Sequence, residues 1–152
     1  LSTPLFSEGQ YAEDLMLEHP GSNLKDRVGK EIFEEGKHLP YMKGRMVFKH
    51  AVTRFPEAIQ TALDANNLTK EDISVLVPHQ ANLRISEAVR EKMGLREDQV
   101  YNNIQRYGNT TAATIPIAMT ELYEAGRLKE GDLICLAAFG SGFTWASCLL
   151  RW

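Results

Sequence analysis

The chain has 152 residues, enough for one ordinary domain, and a chain of that length buries roughly 68–70% of its unfolded surface. Hydrophobic residues make up 43% and charged residues 24%, and the net charge of -3 argues against a phosphate-tracking nucleic-acid binder. No apolar run approaches the ~18 residues of a membrane span, and two cysteines, Cys135 and Cys148, exclude a disulfide framework or a zinc cluster.

Leu1-Ser2-Thr3-Pro4 has no initiator Met and no basic and apolar leader, so it is not a signal peptide. It reads as a chain entered in mid-protein, and the expectation is a piece whose beginning lies elsewhere. Tyr11, Leu15 and Leu17 alternate weakly and predict a short strand over 10–17. Residues 19–40 hold Pro20, Gly21, Gly29, Gly36 and Pro40 among many charges. They read as a loop insertion, with a short helix near 26–35.

From Tyr41 the period changes. Phe48, Val52, Phe55, Ile59 and Leu63 recur at three and four, which predicts a long amphipathic helix. Pro56 inside it predicts a kink or a break into two. Asn66-Asn67 ends the run, and Thr69-Lys70-Glu71-Asp72 resembles a capping arrangement for one short turn. A β-branched strand follows over 73–77, its pairing ended by Pro78. A helix is predicted over 81–93, a weaker strand over 100–104, a turn at 106–109 and a helix over 114–124. An apolar central strand over 132–139 turns at Gly140-Ser141-Gly142 into a last antiparallel strand over 143–152. The alternation implies a mixed, mainly parallel sheet covered by helices.

In open α/β sheets, sites gather beyond the carboxyl ends of the strands. Three segments fall there. His79 leaves its strand just before a helix, whose positive N-terminal potential disfavours imidazolium; a neutral ring could donate to a developing oxyanion. Asn109 has an amide that can donate without titrating. The Gly-Ser-Gly turn could bring the Ser141 N–H close to a ligand. Each also has a plain structural reading: a hydrogen-bonded strand-end histidine, a helix cap or left-handed turn, and a simple hairpin. Cys135 and Cys148 lie in apolar strands and read as inert thiols.

Three stretches, taken together, resemble one family. They are Val77-Pro78-His79-Gln80-Ala81-Asn82-Leu83-Arg84-Ile85, Tyr107-Gly108-Asn109-Thr110-Thr111-Ala112-Ala113, and Ala138-Phe139-Gly140-Ser141-Gly142-Phe143-Thr144-Trp145. In this order they closely resemble β-ketoacyl-acyl carrier protein synthase III, and the resemblance covers essentially all of residues 1–152. It implies a thiolase-like α/β fold of two similar halves, each on a mixed five-stranded sheet, with this chain as the C-terminal half. It also implies a Cys-His-Asn triad. His79 and Asn109 match the His and Asn, and the nucleophilic Cys belongs to the N-terminal half.

The implied reaction is a decarboxylative Claisen condensation of acyl-CoA with malonyl-acyl carrier protein, initiating fatty acid synthesis. By resemblance His79 and Asn109 hold the enolate oxyanion, and the Ser141 N–H helps hold the tetrahedral intermediate. Family members commonly have Gly where Ser141 stands, so Ser141 would limit positive φ. Asn82 and Phe48 are expected along the pantetheine tunnel, Phe139 at the acyl pocket, and Arg84 and Lys49 near the mouth facing an acidic carrier protein. No resident cofactor or metal is expected, CoA and phosphopantetheine thioesters being substrates. The implied setting is a cytoplasmic homodimeric enzyme, with this chain inactive alone. The alternatives are a non-catalytic half that binds acyl carrier protein or CoA, and a related polyketide synthase, which shares the triad.

Overall fold

The computed structural model describes residues 1–19 and 30–152. The elements in chain order are β1 (Leu5–Ser7), β2 (Leu15–Met16), α1 (Lys30–Glu34), β3 (Tyr41–Met42), α2 (Gly44–Asp64), β4 (Val75–Pro78), α3 (Leu83–Met93), α4 (Ile104–Tyr107), α5 (Thr114–Glu124), β5 (Leu133–Gly140) and β6 (Thr144–Arg151). Among the described residues one sheet has the order β1-β6-β5-β4, and β2 and β3 form a separate ribbon. β4 and β5 are parallel, while β5–β6 and β1–β6 are antiparallel.

Alternation along the strands sorts two apolar layers. Leu76, Cys135, Ala137, Phe139 and Leu149 face α2 and α3, packing on Ala51, Phe55, Ile59, Leu63 and Val89. Val75, Val77 and Ile134 face α5, packing on Ala118 and Leu122. This is the period-two pattern of a sheet covered on both faces. β5 is the central strand in fact, with Ile134 and Cys135 fully buried.

The mixed α/β architecture stands as expected, but its details differ. The sheet has four strands among the described residues rather than five, and one parallel pairing rather than a mainly parallel set. The expected strand over 100–104 is reduced to a parallel bridge between Leu76 and Val100, followed by α4. The reason is a side chain. The buried Gln80 Oε1 accepts the backbone N–H groups of Asn103 (2.9 Å) and Ile104 (3.2 Å), so they are lost to a ladder.

Residues 10–17 are not a strand either. Gly9–Asp14 is a 3-10 helix that points Tyr11 onto His50 and Phe143, and only Leu15–Met16 is extended. Conversely, Leu5–Ser7 forms an edge strand despite Pro4, whose carbonyl still accepts from Ser147 N–H. The strand predicted over 73–77 is Val75–Pro78: Pro78 pairs with Ala137, and the ladder continues through His79 N–H to Ala137 O at 2.7 Å. Of the helix expected over 26–35, Lys30–Glu34 is helical; Asp26 to Gly29, like Pro20 and Gly21, lies outside the described residues.

α2 is one unbroken helix rather than two, with Pro56 inside it. A proline removes the hydrogen bond to the carbonyl four residues back. Here that carbonyl, Val52 O, receives Lys92 Nζ from α3 at 3.4 Å. The predicted Thr69 cap is present: Asp72 accepts from the Thr69 N–H (2.7 Å) and hydroxyl (3.0 Å).

Candidate active site

His79, Asn109 and the Ser141 turn follow the ends of β4, α4 and β5, and all three line one cleft of about 1020 Å³. Its walls are apolar, with Val47, Phe48, Ala51 and Phe55 from α2 and Phe139 from β5. A largely apolar concavity with a few converging polar groups is the usual form of a small-molecule site.

His79 sits half-buried one residue past β4, its backbone fixed by Ala137 O. Its Nδ1 lies 2.6 Å from the Thr114 hydroxyl, at the start of α5. Burial lowers its pKa from the ordinary histidine value, which favours the neutral ring. Neutrality was expected from a helix N-terminus immediately after His79, and that reason is corrected. α3 begins at Leu83, not at 81, and Asn82 caps it: its Oδ1 accepts from Arg84 N–H at 3.0 Å. With Oδ1 held, the Asn82 Nδ2 is the amide atom left for the cleft that Asn82 lines.

Asn109 is oriented in the same manner. Its Oδ1 accepts from Thr111 N–H at 2.9 Å, so the donor Nδ2 is the free end of the amide. The preceding Gly108 has φ 67° and ψ -161°, a region essentially closed to residues with a Cβ. That backbone lets the chain leave α4 and present Asn109 to the cleft.

Two residues that the sequence reading passed over build the frame. Gln80, 2% exposed, donates through Nε2 to Pro78 O (2.7 Å) and Tyr101 O (3.3 Å) while accepting from Asn103 and Ile104. It ties the His79 strand end to the segment carrying Asn109. Glu121 on α5 fixes the other side of that segment. It accepts from Asn103 Nδ2 (2.6 Å), Tyr107 (2.8 Å), Arg106 (2.8 Å) and Tyr101 (3.1 Å). Burial works against its charge, but these donors together hold the carboxyl below its ordinary pKa. The only sequence signal for Gln80 was its place beside His79; Glu121 gave none, since its partners lie 14 to 20 residues away.

The Ser141 turn is secured by Phe143, which is fully buried against Phe139, Tyr11 and His50 and accepts from Glu8 N–H at 2.8 Å. Positive φ falls at Gly142 (115°) and not at Ser141. The expected conflict between Ser141 and positive φ therefore does not arise, and Ser141 sits exposed at the cleft.

Phe48 and Phe139 both line the cleft, and Phe139 is also core, edge-on to Phe143 at 5.0 Å. Arg84 and Lys49 are exposed and do not line it. Arg84 nonetheless reaches its edge, with the guanidinium 5.7 Å from the Phe48 ring centre. Neither cysteine lines the cleft, and burial drives the Cys135 thiol far above its ordinary pKa.

A mixed sheet between helical layers, with its cleft at the ends of a parallel strand pair, is an α/β domain, and its likeness to solved structures makes it a thiolase-like one. Solved structures agree. The 3-oxoacyl-[acyl-carrier-protein] synthase III of Aquifex aeolicus superposes with a TM-score of 0.85 at 38% identity, covering 100% of this chain and 44% of that one. The β-ketoacyl-[acyl carrier protein] synthase III of Thermus thermophilus gives 0.86 at 43%, covering 99% and 45%. The β-ketoacyl-[acyl-carrier-protein] synthase III of Desulfotalea psychrophila is 42% identical over all of this chain and 46% of its own length. Residues 63–152 match the family described as 3-oxoacyl-[acyl-carrier-protein (ACP)] synthase III C terminal. The chain belongs to the 3-oxoacyl-[acyl-carrier-protein] synthase III family, corresponding to its C-terminal part. It spans about half the length of the curated relatives it matches. No described helix is long and apolar enough to cross a membrane.

Proposed function

We propose that this chain forms the C-terminal half of a ketoacyl synthase that condenses an acyl-CoA with malonyl-acyl carrier protein at the start of fatty acid synthesis. One observation carries the reading. His79 and Asn109 line the same cleft, and in each the protein holds one polar atom of the side chain while leaving the other available.

In this reading a cysteine of the N-terminal half takes the acyl group from CoA. Malonyl thioester then loses CO₂, and the electrons of the broken C–C bond pass into a thioester enolate. His79 Nε2–H and Asn109 Nδ2–H donate to the enolate oxygen. The enolate carbon attacks the acyl carbonyl, whose developing oxyanion meets the Ser141 N–H. Collapse releases the cysteine and leaves a β-ketoacyl thioester. Two fixed donors in a cleft with apolar walls suit this chemistry, because each such donor is worth about 2.7–4 kcal/mol to a developing anion. A neutral His79 suits it too, since an uncharged ring has one N–H to give without attracting the malonyl carboxylate.

Asn82 and Phe48 contact the pantetheine arm, Phe139 borders the acyl pocket, and Arg84 and Lys49 meet the carrier protein. A homodimeric, cytoplasmic complete enzyme belongs to the same reading, as does inactivity of this chain alone. The test supplies acyl-CoA and malonyl-acyl carrier protein to the protein that carries this chain and looks for β-ketoacyl product. Carrier-protein binding without product, even with an N-terminal half present, would favour a binding module instead.

A further inference from the structure

The proposed function needs His79 to donate from the nitrogen that faces the cleft, and a neutral imidazole carries only one proton. We infer that Thr114 is a positioning residue that decides which nitrogen carries it: its hydroxyl donates to His79 Nδ1 and so keeps the proton on Nε2. This inference rests on the reading of His79 as an oxyanion donor and names the group that makes it one.

The argument is one of proton counting. Thr114 Oγ1 lies 2.6 Å from His79 Nδ1 and 3.0 Å from Thr111 O. The hydroxyl has one proton and two candidate acceptors. If it goes to Thr111 O, then His79 must donate through Nδ1, and Nε2 is left as a bare acceptor. If it goes to Nδ1, then Nε2 bears the proton. Thr111 O does not depend on the hydroxyl, because it already accepts the Thr114 backbone N–H where the 3-10 turn Thr111–Ala113 closes. His79 Nδ1 has no other hydrogen-bond partner among the described residues. The shorter separation is also in the range of a strong bond involving a hydroxyl.

The site is built to hold this contact. Thr114 is 2% exposed, so water does not compete readily for its hydroxyl. It opens α5, whose Glu121 anchors the segment carrying Asn109. His79 is held from the other side by Ala137 O. The two oxyanion donors are therefore referenced to one helix, α5, through Thr114 and Glu121. The choice of tautomer by the partner of the distal nitrogen follows the logic of other histidines that act through one ring nitrogen.

The test reads the tautomer itself. In the protein that carries this chain, labelled with ¹⁵N-histidine, Nδ1 of His79 is expected to show a pyridine-type resonance and Nε2 a pyrrole-type one. Thr114→Val keeps the shape of the side chain and removes the hydroxyl; it is expected to shift His79 toward a mixture of tautomers. Thr114→Ser is expected to restore the wild-type pattern. Malonyl decarboxylation should fall in the valine variant by up to the roughly 10²–10³-fold that losing one oxyanion donor costs, and recover in the serine variant. A pyrrole-type Nδ1 in the wild-type protein would overturn the inference whether or not the variants fold. So would an unchanged tautomer in a folded Thr114→Val protein. If His79→Ala leaves decarboxylation intact while the tautomer is as expected, the oxyanion reading fails and the Thr114 contact survives.

Discussion

Replacing Gln80 by leucine keeps most of the side-chain volume and removes the amide that joins the two arms of the site. The wild-type amide makes four contacts: 2.7 Å to Pro78 O, 3.3 Å to Tyr101 O, 2.9 Å from Asn103 N and 3.2 Å from Ile104 N. A buried polar group stripped of its partner costs about 1–3 kcal/mol. Gln80 is 2% and Asn103 2% exposed, so the two short bonds carry that cost in full. The two longer bonds add little, and the expected loss is about 2–6 kcal/mol. With a urea m-value of about 2 kcal/mol/M, the unfolding midpoint should drop by roughly 1–3 M. The assay follows tryptophan fluorescence, because Trp145 is 8% exposed and packs on Phe139 beside the cleft. Gln60→Leu, which removes an exposed contact to Asp64, is the control and should stay within ±0.5 kcal/mol. A Gln80→Leu loss no greater than that control would refute the view that one amide holds the site's arms together.

Three further outcomes follow from the geometry. Gly108→Ala should cost about 1–3 kcal/mol from backbone strain alone, since a Cβ there meets nothing within 4 Å; a melting temperature equal to wild type would contradict it. The lowered pKa of His79 makes the unfolded chain take up a proton that the folded protein refuses, once pH falls below about 6.5. Stability should therefore decline below that pH and level off beneath the native pKa, and His79→Asn should remove that part of the slope; equal slopes in urea unfolding at a series of pH values would argue otherwise. Arg84→Glu should slow association with an acidic carrier protein by about tenfold at low salt, the difference shrinking as salt rises; an unchanged on-rate would take Arg84 off the docking surface.

The layers of this fold were legible because they follow apolar periodicity. The spacing of Phe48, Val52, Phe55, Ile59 and Leu63 predicted α2, and the apolar run from Leu133 predicted β5 as central. Errors arose where a side chain or a distant contact overrode local preference. Val100 to Ile104 has β-like residues, but Gln80 captures two of its N–H groups. Pro56 reads as a break, but Lys92 from another helix donates to the freed carbonyl. Gly9–Asp14 turned helical because Tyr11 is drawn onto His50 and Phe143, from two other parts of the chain. The residues expected in the cleft were found by motif, and His79, Asn109, Ser141, Asn82, Phe48 and Phe139 do line it. The residues that orient them were not, because Gln80, Thr114 and Glu121 act through partners far along the sequence. The reason for a neutral His79 was likewise misread: burial in the fold lowers its pKa, not a helix start visible in the sequence.

The central claim is that His79 and Asn109 act together on one enolate oxygen. It is tested most directly by measuring CO₂ release from malonyl-acyl carrier protein separately from acylation of the enzyme. His79→Ala and Asn109→Ala are each expected to lower decarboxylation by about 10²–10³-fold while acylation by acyl-CoA continues at the wild-type rate. Acylation lost in parallel with decarboxylation, or decarboxylation untouched in either variant, would contradict the account.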